Sequence, residues 1–213
     1  MKIIFAGTPE FAARHLEIVL QSEHEVLSVL TQPDRKSGRG KKINFSPVKK
    51  TALDNGISIH QPESLGIEKV FSDLKNITPD LILVVAYGLL VPKKILELPK
   101  YGCVNIHASL LPRWRGASPM EHAIMSGDKN IGISYMEMSE GLDEGPVYEM
   151  HECSLKEYDT LHTVEEKFIQ LSEKHLVSFL DNLESGSIKH KAQDENKATF
   201  LSLIHISEPT RRR

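Results

Sequence analysis

Apolar residues recur along the chain in short blocks that predict strands and helices in alternation over about the first 125 residues. The β-branched runs KIIFAG, EVLSVLTQ and DLILVVAYG are typical of buried parallel strands, and the last, the most hydrophobic, is predicted at the centre of a sheet. Between the first two, apolar residues at helical spacing predict a helix with Thr8 as N-cap and Pro9 as first residue. This alternation favours an α/β fold with a doubly wound, mostly parallel, Rossmann-like sheet. Weaker patterns predict helices in PVKKTALDNG, GIEKVFSDLKNI and KKILELP, and strands in ISIHQ and GCVNIH.

The later part of the chain follows a different pattern. The stretch ASPMEHAIMSGD predicts a helix with Pro119 at its first position and a capping box between Ser118 and Glu121. IGISYMEM and GPVYEMHECSL are strand-like runs joined by SEGLDEG with no helix between them, which predicts an antiparallel edge. A long amphipathic pattern then predicts a final helix that ends at Gly186.

Two polar residues interrupt the strand pattern of VNIHASLLPRWRG. Asn105 and His107 are two positions apart, so their side chains share one face of the strand while Val104 and Ile106 share the other. Both polar residues lie toward the carboxyl end of the strand, where open parallel sheets bind ligands. Taken alone, the pair favours a strand end held by structural hydrogen bonds. Trp114, farther along, either packs over this region or stacks on a substrate, and packing is favoured.

The turn SEGLDEG adds a carboxylate between two glycines. Gly141 and Gly145 permit left-handed backbone or a close approach to a ligand, and Asp143 on its own would be a turn cap. Together with Asn105 and His107, however, this carboxylate completes a set that suits acyl transfer to an amine. The amide and the imidazole can hold a carbonyl oxygen, and the carboxylate can accept a proton from the attacking ammonium. Because the amine attacks directly, this reaction needs no covalent nucleophile.

Charge is distributed unevenly along the chain. The 213 residues carry a formal net charge of −3, yet the window from Gln32 to Lys50 contains seven basic residues and one acid. Most of them lie in the predicted loop between Pro33 and Pro47. From charge alone this segment is a solvated, mobile loop, but a basic segment on an acidic molecule also suits an anionic partner.

Several other classes of function are disfavoured. The turn AGTPEF lacks the pattern G-x-G-x-x-G, which argues against a nicotinamide-linked dehydrogenase. Cys103 and Cys153 do not form a CxxC pair, so neither a cysteine metal site nor a disulfide framework is expected. With no apolar run long enough to span a membrane and no signal-peptide pattern, we expect a cytoplasmic protein without a membrane partner.

The motifs NIHASLLPRWRG and GLDEGP resemble those of the folate-dependent formyltransferases, which take a formyl group from 10-formyltetrahydrofolate. Within that family, FAGTPEFAARHL, TQPDRKSGRGKKINFSPVK, VVAYGLLVP and RWRGASP resemble the enzymes that act on methionyl-tRNA. The resemblance runs from Met1 to about Phe200. It implies a Rossmann-like formyltransferase fold and direct transfer of the formyl group to the amino group of initiator methionyl-tRNA.

The resemblance also implies roles for individual residues. Asn105 and His107 would polarise the formyl oxygen, and Asp143 would orient His107 and relay protons through water. The folate slot would be lined by Val85, Ala86, Tyr87, Gly88, Leu89, Leu90, Ser109, Leu110, Leu111, Pro112, Gly141, Leu142, Glu144 and Gly145. The acceptor stem of the tRNA would be contacted by Arg35, Lys36, Arg39, Lys41 and Lys42. Arg39 above all is implied to reach the first base pair, no metal is implied, and a monomer is expected.

The resemblance implies a catalytic domain at residues 1–186 and the start of an interdomain linker at 187–200. Residues 201–213, LSLIHISEPTRRR, depart from the family pattern at the point where its C-terminal β-barrel domain would follow, and we expect an aberrant tail rather than a nucleic-acid patch. Without that barrel, transfer to methionyl-tRNA is expected to be weak. Two other functions stay open: a formyltransferase acting on a ribonucleotide or sugar amine, and an inactive folate- or RNA-binding remnant.

Overall fold

The computed structural model describes residues 1–37 and 42–201. The strands are, in chain order, β1 (Lys2–Gly7), β2 (Glu25–Leu30), β3 (Arg35–Ser37), β4 (Lys42–Asn44), β5 (Ser58–His60), β6 (Leu81–Val85), β7 (Cys103–His107), β8 (Arg115–Gly116), β9 (Asn130–Glu137), β10 (Val147–Ser154) and β11 (Phe200–Leu201). The helices are α1 (Glu10–Leu20), α2 (Pro47–Asp54), α3 (Glu68–Ile77), α4 (Lys93–Leu96), α5 (Pro119–Met125) and α6 (Leu161–Ser185). A short 3-10 helix at Glu195–Lys197 precedes β11.

The main sheet contains seven of these strands in the order β10-β9-β7-β6-β1-β2-β5. Five adjacent strands run parallel to one another: β7, β6, β1, β2 and β5. At the other side, β9 runs antiparallel to both β7 and β10. The predicted doubly wound, mostly parallel sheet with an antiparallel edge is therefore confirmed, and the strongly apolar β6 lies at its centre as predicted.

Apolar side chains of the central strands pack into separate cores on the two faces of the sheet. Ile3 and Phe5 of β1 belong to the larger core, which includes residues of α1, α2 and α6, whereas Ile4 and Ala6 belong to a core with α3 and α4. All four side chains are at most 1% exposed. A strand buried on both faces is what an unbroken apolar sequence predicts. With both faces covered by helices, the strand ends and their loops remain to form a site.

Two predicted helix caps are wrong. Helix α1 begins at Glu10 with Pro9 as its N-cap residue, and the hydroxyl of Thr8 instead donates to Tyr87 O at 3.2 Å, in the loop after β6. At α5 the predicted capping box is absent, because Ser118 has a left-handed backbone (φ 59°) and its side chain makes no cap hydrogen bond. At α1 a tertiary contact overrides the local preference, and at α5 the left-handed backbone of Ser118 accompanies the loss of the cap.

The predicted loop between Pro33 and Pro47 contains a short hairpin. Strand β3 pairs antiparallel with β4, with Arg35 opposite Asn44 and Ser37 opposite Lys42. The runs RKS and KIN are mostly polar and show no hydrophobic period, which is why the sequence pattern did not predict these strands. The basic residues Arg39 and Lys41, and the tail after residue 201, lie outside the described residues.

Candidate active site

Strand β7 presents the polar pair on one face of the sheet. Val104 and Ile106 are buried in the larger core, so Asn105 and His107 project from the opposite face. Asn105 is partly exposed and His107 is buried. The alternation predicted from the sequence is thus present, and the amide is accessible from solvent at this position.

The loop after β9 reaches this face from the far end of β7. Because β9 is antiparallel to β7, Glu137 lies opposite Val104, and the N–H of Met138 donates to Cys103 O at 2.8 Å. The chain therefore leaves the sheet beside the start of β7. It then folds back across the polar face, which brings Asp143 to the polar pair. A turn between two strands would not by itself predict this path.

The three side chains predicted to act together do converge. Asn105 Nδ2 donates to Asp143 Oδ1 at 3.4 Å, and His107 Nδ1 lies 3.6 Å from Asp143 Oδ2. The N–H of Gly116 also donates to Asp143 Oδ2, at 2.8 Å. Each carboxylate oxygen therefore has one donor that stabilises its negative charge, and further lone pairs remain for a substrate proton or a water molecule.

The imidazole of His107 is oriented through both ring nitrogens. Its Nε2 lies 2.9 Å from Trp114 O. Because a carbonyl oxygen can only accept, Nε2 carries a hydrogen and donates it. Nδ1 faces the carboxylate of Asp143, 3.6 Å from Oδ2. The ring is thus fixed on the same face of β7 as the amide of Asn105.

The turn that holds Asp143 has an unusual backbone. Asp143 itself has the left-handed conformation (φ 49°), whereas Gly141 and Gly145 do not. A Cβ on Gly145 would overlap Glu137 O, and a Cβ on Gly141 would overlap the carboxylate of Glu144. Gly145 is therefore required for close approach to backbone, whereas the side chain of Glu144 could move away from a Cβ at Gly141. The strained residue of the turn is the aspartate.

The loop after β6 carries the first group of predicted folate-binding residues. Ala86 and Gly88 have positive φ values of 46° and 79°. Between them Tyr87 O accepts hydrogen bonds from Thr8 Oγ1 at 3.2 Å and Gln32 Nε2 at 3.1 Å, which tie the loop to β1 and β2. Burial raises the pKa of Tyr87 to about 12, so its hydroxyl stays protonated at neutral pH.

This loop lies near the turn that carries Asp143. Lys93 Nζ, just after the loop, is 3.3 Å from Glu140 Oε1 at the start of the turn. Each segment exposes a leucine, Leu90 at 90% and Leu142 at 54%. Exposed apolar side chains beside convergent polar groups are typical of a small-molecule site.

The loop after β7 holds a second group of predicted folate residues, Ser109, Leu110, Leu111 and Pro112. Ser109 is buried, and its hydroxyl donates to Arg113 O at 2.6 Å. The hydroxyl of Ser134 donates to Ser109 O at 2.7 Å and accepts from the N–H of Leu111 at 3.1 Å. The peptide bond between Leu111 and Pro112 is cis. The serine hydroxyl is thus used within the loop and is not presented as a nucleophile.

Trp114 is packed and hydrogen-bonded within the protein. It lies against the larger core, and its Nε1 donates to Asp128 Oδ2 at 2.8 Å. Arg113 makes two further hydrogen bonds to the same carboxylate, at 2.9 and 2.7 Å, and its guanidinium lies 4.1 Å from the centre of the indole ring. The hydrogen bonds from Arg113 and then Trp114 lower the pKa of Asp128. This arrangement agrees with packing rather than substrate stacking.

Four residues near the site were not predicted to act there. Arg115 is completely buried, and Gln193 and Glu195 close over its guanidinium. Ser134 is also completely buried, and it links β9 to the loop after β7. A polar residue inside an apolar strand is a signal that could have indicated Ser134. The contacts of Arg115 join residues about 80 positions apart, so the sequence offers no local signal for them.

Cys103 does not provide a nucleophile. Its Sγ donates to Ile95 O at 3.6 Å, and burial raises the pKa of the thiol to about 12. Within residues 1–37 and 42–201, no group of three or more His, Cys, Asp or Glu side chains is arranged to hold a metal ion. Over the same ranges, every helix is too short or too polar to cross a membrane.

A family model described as formyl transferase matches residues 1–180. The chain belongs to the formyl transferase family. A methionyl-tRNA formyltransferase from Pseudoalteromonas translucida is 43% identical over 208 residues, which cover 98% of this chain and 65% of that relative. The chain therefore spans just under two thirds of the length of that curated relative.

Solved structures of formyl transferases share the fold. Glycinamide ribonucleotide transformylase 1 from Symbiobacterium toebii has a TM-score of 0.75 at 17% identity, with 91% of this chain and 94% of that chain covered. A sugar 3N-formyl transferase crystallised in the presence of dTDP and 5-N-formyl-THF has a TM-score of 0.74 at 20% identity, with 97% and 71% covered. The predicted fold class and family are both confirmed.

Proposed function

We propose that this chain transfers a formyl group from 10-formyltetrahydrofolate to the amino group of methionyl-tRNA. The observation that carries the proposal is the convergence of Asn105, His107 and Asp143 on one face of β7 in a formyl transferase. The set contains donors for an oxyanion and a carboxylate for a proton. Neither Ser109 nor Cys103 is presented to it as a nucleophile, which agrees with direct attack by an amine.

In the proposed reaction, the amine nitrogen forms a bond to the formyl carbon while the carbonyl electron pair moves to oxygen. Asn105 has a second N–H, besides the one directed at Asp143, that can donate to this oxyanion, and the ring of His107 lies on the same face of the strand. The bond between the formyl carbon and N10 of the folate then breaks. Asp143 accepts the proton lost by the ammonium, directly or through a water molecule, and N10 gains a proton, so charge and atoms balance.

For the folate, the proposed site combines the loop after β6, the loop after β7 and the turn around Asp143. The exposed side chains of Leu90 and Leu142 supply apolar surface for a planar heterocycle. The backbone of these segments supplies donors and acceptors that can orient it. The fold shared with a sugar formyl transferase crystallised with 5-N-formyl-THF supports a folate as the formyl donor.

For the acceptor, the proposal rests on relatives and on charge. A methionyl-tRNA formyltransferase is 43% identical to this chain. The predicted tRNA contacts Arg35, Lys36, Arg39, Lys41 and Lys42 form a basic group on an otherwise acidic chain, which suits an RNA phosphate backbone. We further propose that residues 1–186 hold the catalytic chemistry and that the enzyme works as a monomer in the cytoplasm.

A formylation assay with three acceptors tests the proposal. 10-Formyltetrahydrofolate is supplied with methionyl-tRNA, glycinamide ribonucleotide or a nucleotide-linked amino sugar, and kcat/KM is measured for each. We expect methionyl-tRNA to be preferred, and Asn105→Ala or Asp143→Ala to lower its rate by a factor on the order of 10² to 10³. Asp54→Asn, an exposed change on α2, is the matched control. Preference for either small acceptor would refute the tRNA assignment, and unchanged rates in both alanine variants would refute the site.

A further inference from the structure

Residues 191–201, here called the strap, run past the candidate active site. At one end Lys191 exchanges two backbone hydrogen bonds of 2.8 Å with Val147, the first residue of β10. At the other end β11 pairs in parallel with β8, in the loop after β7. The strap therefore links the two segments that meet at Asp143: the turn before β10 and the loop that contributes the N–H of Gly116.

The amide of Gln193 lies at the centre of these contacts. Its Nε2 donates to Asp143 O at 2.8 Å and to Gly145 O at 2.7 Å. Its Oε1 accepts from Nε and Nη2 of Arg115, at 3.0 and 2.9 Å. An amide has two N–H donors and two lone pairs, so all its hydrogen-bonding capacity is used. Because carbonyls need donors and a guanidinium needs acceptors, the orientation of the amide is determined.

Arg115 provides a rigid anchor for Gln193. Its side chain is 0% exposed, and Glu195 binds it through both carboxylate oxygens, at 2.7 and 2.9 Å. A buried guanidinium is stable only where its charge and N–H groups have partners. The next residue, Gly116, donates its N–H to the carboxylate of Asp143. The backbone and the carboxylate of Asp143 are thus both held from the same short segment.

The backbone of Asp143 requires such support. Its left-handed conformation is sparsely populated for a residue other than glycine and persists only where the surroundings hold it. The two carbonyls that Gln193 binds belong to Asp143 and to Gly145, two residues farther on. The amide thereby bridges the turn and opposes its relaxation.

We propose that Gln193 is a positioning residue for formyl transfer, which holds the turn so that the carboxylate of Asp143 stays between Gly116 N–H and His107. The inference rests on the proposed function, in which that carboxylate accepts the proton of the attacking amine. Gln193 influences the reaction through the position of Asp143, whose turn it bridges.

Two variants of Gln193 and one control test this role. Gln193→Glu keeps an acceptor for Arg115 but removes both N–H donors to the turn, and Gln193→Met, of similar length, removes all four hydrogen bonds. Lys197→Gln is the matched control, because it changes an exposed residue of the strap whose ion pair is with Asp194 and not with Arg115 or the turn. We expect both Gln193 variants to lower kcat by about 10- to 100-fold while KM for each substrate changes less than about threefold. The control should keep kcat within about threefold of wild type.

A double-mutant cycle separates positioning from simple loss of structure. In an Asp143→Ala background, Gln193→Glu should cause no further loss of kcat, since the group through which it acts is gone. A structural role predicts the same loss in both backgrounds together with a lowered unfolding temperature. That result, or a wild-type kcat in both Gln193 variants, would overturn the inference.

Crystal structures of the wild type and of Gln193→Glu test the inference independently of enzyme activity. If the wild-type chain transfers no formyl group, the proposed function fails. The position of the Asp143 carboxylate in the two structures then still shows whether Gln193 positions it. Displacement of Asp143 from the N–H of Gly116 in the variant supports the positioning role. An unmoved carboxylate contradicts it.

Discussion

His15 is a buried titratable residue whose protonation the fold opposes. It lies on α1 with its Nδ1 2.7 Å from Phe11 O and its Nε2 2.8 Å from the hydroxyl of Ser172 on α6. Because the carbonyl can only accept, Nδ1 carries the hydrogen and Nε2 accepts from the serine. Burial lowers the pKa of His15 from 6.5 to about 4. The neutral ring therefore bridges two helices, and a charged ring could not keep the bond from Ser172.

This depressed pKa makes stability depend on pH in a defined window. Between pH 6.5 and about 4 the unfolded chain binds the proton and the folded chain does not, so His15 stabilises the fold above pH 6.5 and loses that contribution as pH falls. We expect His15→Gln to be less stable than wild type at pH 7, and the difference in unfolding free energy to shrink by at most about 1.4 kcal/mol per pH unit toward pH 4. Urea unfolding of both proteins at pH 7, 5.5 and 4.5 measures this difference in unfolding free energy.

Comparing the unfolding free energies of wild type and His15→Gln at each pH isolates the contribution of His15. His24 and His151 also have lowered pKa values from burial, but they are present in both proteins and cancel in the difference. A stability difference that stays constant from pH 7 to 4.5 would contradict the assignment.

At the level of residues, sequence reasoning succeeded where the cause is local. The shared face of Asn105 and His107 follows from the two-residue period of a strand. The cap assigned to Thr8 failed because its hydroxyl is taken by Tyr87 O, 79 residues away. Nor does composition indicate that Asp143, rather than a neighbouring glycine, would adopt the left-handed backbone.

Among the elements, the turn between β9 and β10 depends on close packing at Gly145. A Cβ there would overlap Glu137 O, a backbone atom that cannot move without disturbing the sheet. We expect Gly145→Ala to lower the unfolding free energy by roughly 1–3 kcal/mol, as overpacking does, and to lower formyl transfer because Asp143 lies in the same turn. Thermal and urea unfolding, together with the formylation assay, measure both effects.

Gly66→Ala is the matched control for this change. A Cβ at Gly66 would meet only Ser64 Oγ at 3.4 Å, an ordinary contact with a side chain that can turn away. Its stability should stay within about 0.5 kcal/mol of wild type, as at most surface positions. Equal stabilities for the two alanine variants would show that the turn tolerates a side chain at Gly145.

The elements predicted most clearly from the sequence are those with a strong hydrophobic period. The apolar runs of β1, β2 and β6 and the amphipathic pattern of α6 are each long enough to show it. Strands β3, β4, β8 and β11 have two or three residues, and β8 pairs with a strand about 85 residues later in the chain. Pairing at that distance is decided by the assembled tertiary structure, so a local pattern could not indicate it.

For the whole molecule, the uneven charge predicts how the proposed binding of RNA would depend on salt. If the basic group from Arg35 to Lys42 neutralises phosphates, Lys41→Gln with Lys42→Gln should raise KM for methionyl-tRNA and leave kcat nearly unchanged. The slope of log affinity against log salt should fall by about 0.7 to 0.9 for each phosphate that is no longer neutralised. Filter binding from 50 to 200 mM salt, about the range in which such ionic interactions weaken, measures the slope.

Lys69→Gln with Lys75→Gln provides the control, since it removes the same charge from exposed positions on α3. Its salt slope should match wild type. If both double variants weaken RNA binding equally, only the net charge of the molecule matters, and the proposed contact surface is wrong.

At this scale the sequence predicted the parallel sheet, because alternating strands and helices allow few other arrangements. It did not predict that residues 187–200, expected to begin a linker, contact the site through Gln193 and Thr199. Segments without a hydrophobic period are positioned by hydrogen bonds to distant residues, and a single sequence does not reveal those partners.

The contacts of the strap also determine the order in which a nascent chain can complete its site. A ribosome makes the protein from its amino terminus, so all strands of the main sheet are available once Ser154 has emerged. The hydrogen bond that holds Asp143 O comes from Gln193, 50 residues after the aspartate. The sheet can therefore form during synthesis while the turn is still unsupported. The turn around Asp143 gains this support only when Gln193 has joined the folded domain.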